Sequence, residues 1–183
     1  MRKEVLISGF GGQGVVLSSG VLAQALMYRG YEVTATYSYG AAARLGVTRG
    51  EVVVSDDWID YPKVRRPDFW IVMNQASLNV LSKKYPVDQA IVLADSSMIS
   101  FFDPVIGKVR EIVKIPASDL AEELGAKVSA NMLMLGALLK VSDLSPLEDL
   151  ERSIRELVKP KFVDVNIKAA RKGYELVEKV TSH

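Results

Sequence analysis

The sequence contains no cysteine, and its only histidine is His183, the last residue. The first absence removes disulfides, thiol nucleophiles and the thiolate ligands on which iron–sulfur clusters normally depend. The second leaves no basis for a histidine triad or a zinc site. An excess of one charge is also missing. The net charge is +1, so no global field draws the chain to DNA, RNA or an anionic membrane. The local cluster of Lys63, Arg65 and Arg66 reads as a solvated face. Long hydrophobic runs are lacking too. The longest, residues 132–139, falls short of the roughly 18 residues of a membrane span. Arg2, Lys3 and Glu4 lead into only a short apolar run before the glycines, unlike a signal peptide. The expectation is a cytoplasmic chain with no nucleic-acid or membrane partner.

What is present suits a buried core. Hydrophobic residues make up 49% and charged residues 25% of 183 positions, which fits one α/β domain over residues 1–183. Residues 5–8 are a short apolar run ending in glycines, the pattern of a buried first strand. A helix over 15–29 follows, closed by Gly30. Residues 32–37 alternate as a second strand, 38–50 form a glycine- and alanine-containing connection, and 51–55 a valine-rich strand. Further strands are expected at 69–73, 90–94 and 109–115, with helices at 77–84, 117–124 and 128–140. Ser145, Pro146 and Glu148 spell a capping box with proline at the first helical position. The helix it starts stops near Pro160, and an amphipathic helix covers 164–180. Strands alternating with helices predict a mostly parallel sheet with helices on both faces, a Rossmann-like first βα unit and a helical C-terminal third.

The sharpest motif is Gly9-Phe10-Gly11-Gly12-Gln13-Gly14, which matches G-x-G-x-x-G between the first strand and first helix. Glycines permit a tight turn and close approach of backbone amides. The helix N-terminus behind them offers unpaired N–H groups to an anion such as a cofactor phosphate. Three readings stay open: a turn without ligand, a loop facing a subunit interface or shared cofactor, and a stand-alone NAD or flavin site. The last lacks the usual acidic residue at the end of the second strand, because Glu32 lies at its start.

Ser38, Tyr39, Gly40 and Arg44 follow the second strand, on the edge where such sheets bind ligands. Tyr39 can stack or donate a hydrogen bond, and Arg44 can clamp a carboxylate or phosphate. Asp56, Asp57 and Asp95 end strands and read as turn and cap residues. Met132 and Met134 read as core filling. No residue is assigned to catalysis or to a metal.

Together these segments resemble the gamma subunit, or fused gamma domain, of 2-oxoacid:ferredoxin oxidoreductases. The likeness runs from Val5 to about Tyr174. It rests on the glycine–glutamine loop and on Ser38-Tyr39-Gly40 with Arg44 and Gly46. Ser55-Asp56, Ile59, Pro62, Pro67-Asp68, Asn131 with Gly136, and Asn166 with Gly173-Tyr174 follow in order. Arg44-Leu45-Gly46 departs from the Arg-Gly-Gly common in the family.

The resemblance implies oxidative decarboxylation of a 2-oxoacid, of the 2-oxoglutarate type, with coenzyme A as substrate and ferredoxin as acceptor. It implies that thiamine diphosphate, magnesium and iron–sulfur clusters sit mainly on alpha, beta and delta subunits, so that this chain alone binds none of them and is inactive. The glycine loop (Gly9, Gly11, Gly12, Gln13, Gly14) with Ser38, Tyr39, Gly40 and Arg44 would then contribute to the coenzyme A or shared-cofactor environment.

Overall fold

The computed structural model describes residues 1–40 and 46–177. The strands are β1 (Arg2–Phe10), β2 (Glu32–Ser38), β3 (Val47–Ser55), β4 (Phe69–Val72), β5 (Ile91–Asp95) and β6 (Glu111–Ile115). They form one sheet in the order β2-β3-β1-β4-β5-β6. β1, β4, β5 and β6 lie parallel side by side. β3 runs antiparallel to both β1 and β2. The sheet is therefore mostly parallel, as expected, with one reversed strand that the sequence did not announce. β4 and β5 are buried along their whole length, as are residues 4–9 of β1. Strands covered on both faces read as continuous apolar runs, which is why they were legible.

The helices are α1 (Val15–Met27), α2 (Gln75–Leu81), α3 (Ala117–Glu123), α4 (Ala130–Ser142), α5 (Leu147–Leu157) and α6 (Val163–Leu176). One core joins α1, α3 and α4 to the first face of the sheet, with α5 and α6 packed outside α1 and α4. A smaller core on the opposite face holds α2 with Tyr85, Val87, Ile99, Phe102 and Val105. The C-terminal helices thus wrap one side. α4 is buried nearly all round, as a helix apolar on every face must be.

Three expectations need correction. Residues 47–50 are not connection but the first half of β3, pairing with β1 and β2. Gly50 made the stretch look like a loop. It is glycine because a Cβ there would lie 1.8 Å from Ser19 Oγ on α1. The capping box is absent as well. Pro146 is itself the N-cap of α5, and the Ser145 hydroxyl donates to Asp149 Oδ2 at 3.0 Å. Finally, α2 starts before Ser77, because the Asn74 side chain accepts from Ser77 N at 2.8 Å and so sets the helix start at Gln75.

Candidate functional site: the glycine-loop edge

Chain direction reverses beside β1: α1 leads away toward β2, while β4 and β5 lie on the other side. The crevice between the carboxyl ends of β1 and β4 is therefore the switch point at which open α/β sheets bind ligands. The glycine loop leaves β1 there and Asn74 leaves β4. Gln13 bridges the two. Its Oε1 accepts from Phe10 N at 2.7 Å and from Asn74 Nδ2 at 2.7 Å, and its Nε2 donates to Met73 O at 3.2 Å. The amide is thus committed to the protein and plugs the crevice.

Each glycine has its own reason. A Cβ on Gly9 would meet Gln13 Oε1 at 2.7 Å, and one on Gly14 would meet Asn131 Nδ2 at 2.3 Å. Gly14 is the left-handed N-cap of α1 (φ 73°), and its carbonyl accepts from Asn131 Nδ2 at 3.2 Å. Gly12 has φ 93°, while a Cβ on Gly11 would meet nothing within 4 Å. Among the described residues, no contact dictates a glycine at position 11. The first α1 amides precede the first intrahelical bond, from Ser18 N to Gly14 O at 2.9 Å, and no acidic residue lies in that turn. This end of α1 is electropositive.

Three cavities converge on Gly12. The largest, about 410 Å³, lies between α1 and the C-terminal helices and is lined by Leu17, Val128, Asn131, Leu157, Phe162 and Asn166 among others, with Lys159 on its rim. A second, about 240 Å³, is formed by Gln13, Met73, Met98, Ser118, Lys127 and Val128. The third, about 250 Å³, includes Gly11, Val15, Leu17, Tyr39 and Thr48. Leu17, Tyr39, Met98, Val128 and Phe162 are all exposed around this edge, an apolar rim of the kind that marks an interaction site.

The sequence-derived residues separate here. Tyr39 joins the glycine loop and meets Tyr37 edge-on at 6.0 Å. Gly40 closes the hairpin, its N–H donating to Val47 O at 2.9 Å. Ser38 pairs with Arg49 and so stands on the opposite face of the sheet from Thr48. Arg44 lies outside the described residues. Asp95 is fully buried, accepting from Ser97 N and Ser118 N, and from the Ser118 hydroxyl at 2.6 Å. Asp56 pairs with the N-terminal ammonium, which pulls its carboxyl below the usual range. Asp95 serves a turn and a helix start, as expected, whereas the terminal partner of Asp56 was not foreseen. Asn74, Met98, Val128 and Phe162 were not foreseen. Only Asn74 carried a local signal, as a capping residue before a helix.

On the far face, burial, reinforced by a 2.7 Å hydrogen bond to buried Glu51, pushes the Tyr85 hydroxyl far above its ordinary pKa.

A switch-point glycine loop plugged by its own glutamine amide and ringed by apolar side chains belongs to an α/β domain built unlike a dinucleotide dehydrogenase. β2 lies two strands from β1, roughly 9–10 Å away. The strand beside β1 is the antiparallel β3, and β2 ends in Thr36, Tyr37 and Ser38, so the acid that ends the neighbouring parallel strand of a dehydrogenase has no counterpart there. The chain belongs to the pyruvate ferredoxin/flavodoxin oxidoreductase family, whose model matches residues 4–176.

It is 37% identical to the 2-oxoglutarate synthase subunit KorC of Methanothermobacter marburgensis, covering 97% of both chains. It is 36% identical to that of Methanocaldococcus jannaschii, covering 98% of this chain and 96% of the relative. A keto/oxoacid ferredoxin oxidoreductase gamma subunit from Geobacter sulfurreducens superposes with a TM-score of 0.81 at 26% identity, over 94% of this chain and 96% of that one. The chain is a gamma-type subunit of the 2-oxoacid:ferredoxin oxidoreductases. The alternative of a stand-alone NAD or flavin enzyme is set aside.

The family's redox groups do not fit this donor set. Without cysteine there are no thiolates for an iron–sulfur cluster, and among the described residues no three His, Asp or Glu side chains gather as a metal site. No described helix is long and apolar enough to cross a membrane.

Proposed function

We propose that this chain is the gamma subunit of a 2-oxoglutarate:ferredoxin oxidoreductase. The complex converts a 2-oxoacid and coenzyme A into acyl-CoA and carbon dioxide, releasing one proton to solvent and passing two electrons to ferredoxin. Alpha, beta and delta subunits carry the thiamine diphosphate, magnesium and iron–sulfur clusters. Thiamine diphosphate supplies the carbanion chemistry of decarboxylation, and no residue of this chain takes part in that step.

The chain's contribution is the edge around Gly12. Backbone amides at the start of α1 and the ammonium groups of Lys127 and Lys159 favour an anion there. The flanking apolar cavities suit an extended, partly apolar molecule such as coenzyme A, or side chains of a sister subunit. Convergence of three cavities on one glycine is the observation that carries this reading.

Co-expression with its sister chains should give a single complex on size exclusion that reduces a low-potential dye with 2-oxoglutarate and coenzyme A. The isolated chain should fold and show no turnover. Turnover by the chain alone, or separate elution at micromolar concentration, would refute the assignment.

A further inference from the structure

Arg49 is the one part-buried arginine among the described residues; the others are exposed. Its guanidinium makes no hydrogen bond or ion pair among them, and its Nε is buried without a partner. Buried polar groups are almost always satisfied, so an orphan of this kind calls for a cause. The Tyr85 ring lies 6.0 Å from the guanidinium carbon, at the outer limit of a cation–π contact. Glu51, two residues along β3 and on the same face, is the obvious counter-ion. Its carboxylate is instead taken by the Tyr85 hydroxyl at 2.7 Å and the Thr36 hydroxyl at 3.2 Å. Across the strands Arg49 sits between Ser8 and Ser38. Ser8 is committed, accepting from Trp70 Nε1 at 2.9 Å and donating to Ile71 O at 3.3 Å. Ser38 is not.

A part-buried guanidinium without a partner is costly in an isolated chain. Placement favours a partner protein over a small molecule as the missing anion. Arg49 lines none of the three cavities around Gly12. Beside it runs β2, the edge strand of the sheet, half-exposed and without the lysine or proline that commonly guards such an edge. The other edge strand, β6, carries Lys114, whereas the only charge on β2 is Glu32 at its start. Arginine and tyrosine are also the residue types most used as interface anchors.

We infer that Arg49, with Ser38 beside it, receives an aspartate or glutamate side chain of a sister subunit docked along β2. The inference rests on the gamma-subunit reading. Assembly supplies the carboxylate that Arg49 lacks among the described residues of its own chain.

The test is the co-expressed complex carrying Arg49→Gln or Arg49→Lys, with each isolated variant first checked by urea unfolding. The isolated Arg49→Gln chain is expected to keep or raise its unfolding midpoint, because no internal hydrogen bond or ion pair is lost and a costly unpartnered charge is removed. Its dissociation constant from the sister subunits should rise about tenfold or more, and Arg49→Lys should recover only part of that, lacking the planar fork. Unchanged assembly of Arg49→Gln would overturn the inference. So would a raised KM for 2-oxoglutarate or coenzyme A at unchanged assembly, which would make Arg49 a substrate ligand. A collapse of the isolated Arg49→Gln fold would show that the side chain serves its own chain, and would also overturn it. Failure of the wild-type chain to join any complex would instead remove the gamma-subunit reading, and this inference with it.

Discussion

Asn74 donates its side-chain amide to Gln13 Oε1 at 2.7 Å, joining the loop after β1 to the loop after β4 across the switch point. Gln13→Ala would leave Phe10 N, Met73 O and the Asn74 amide without this partner. A loss of about 1–3 kcal/mol follows from part-buried groups left unsatisfied. Asn74→Ala also removes the cap of α2, which adds about 1 kcal/mol. Urea unfolding of both single variants and the double variant should reveal a positive coupling energy. Strict additivity would mean that the two amides act independently.

Where α4 crosses α6, the helices touch backbone to backbone. A Cβ on Gly136 would lie 1.9 Å from Ala170 O, and one on Gly173 would lie 1.8 Å from Leu133 O. Rigid carbonyls cannot yield as a flexible side chain can, so Gly136→Ala and Gly173→Ala should each cost at least about 1–3 kcal/mol and lower Tm by several degrees. Gly20, in the interior of α1, is the contrast, with nothing within 4 Å of its added Cβ. Gly20→Ala should raise stability by about 0.5–1 kcal/mol through its helix propensity. Thermal melts of the three variants decide it. Equal effects would contradict this description of the crossing.

Glu151 on α5 accepts from Arg171 of α6 through both carboxylate oxygens, at 2.6 and 2.9 Å. The Arg171 hydrogen bonds outweigh burial and hold the Glu151 carboxyl below its usual range. Because the folded-state pKa is depressed, the pair's contribution is present above the ordinary glutamate range and is lost as pH falls through the folded value. The urea midpoint of Glu151→Gln should therefore sit below wild type near neutrality and converge with it in acid, once pH has fallen through the depressed folded-state value. Arg171 is half-exposed, so added salt should shrink the neutral-pH gap. A gap that persists in acid would assign the effect to packing.

Elements buried on both faces, such as β4, β5 and α4, announced themselves as apolar runs. β3 did so only over its second half, residues 51–55; its first half was hidden because Gly50 answers to Ser19 on another element and Arg49 sits where a strand core usually shows an apolar side chain. Its insertion between β1 and β2 is a matter of neighbour order, which no local pattern encodes. The glycine loop was legible as a motif, but the plugging role of Gln13 exists only once β4 lies beside β1. Val128 and Phe162 enter the site from the short segments just before α4 and α6, more than a hundred residues downstream of the loop, and nothing in their own neighbourhoods marks them. The capping box misled by one residue, which handed the first turn of α5 to Asp149.

The glycine loop separates what the fold needs from what a visitor needs. Gly12 has φ 93°, so any side chain there strains the backbone by about 1–2 kcal/mol. Gly11 has no such φ and open space where its Cβ would be, so Gly11→Ala should leave the stability of the isolated chain within about 0.5 kcal/mol. A glycine the fold does not require is explained if something from outside approaches its backbone closely. In the reconstituted complex, Gly11→Ala should then raise the KM for coenzyme A, or weaken assembly, by about tenfold, as expected when a charged hydrogen bond of roughly 1.5 kcal/mol is lost. Gly12→Val should do the same and destabilise the isolated chain besides. Calorimetric titration of the isolated chain with NADH should give no micromolar binding, since Gln13 fills the crevice and no acid stands at the ribose position. Gly11→Ala with wild-type assembly and wild-type coenzyme A kinetics would show that nothing approaches this face of the loop, and would move the binding edge away from Gly12.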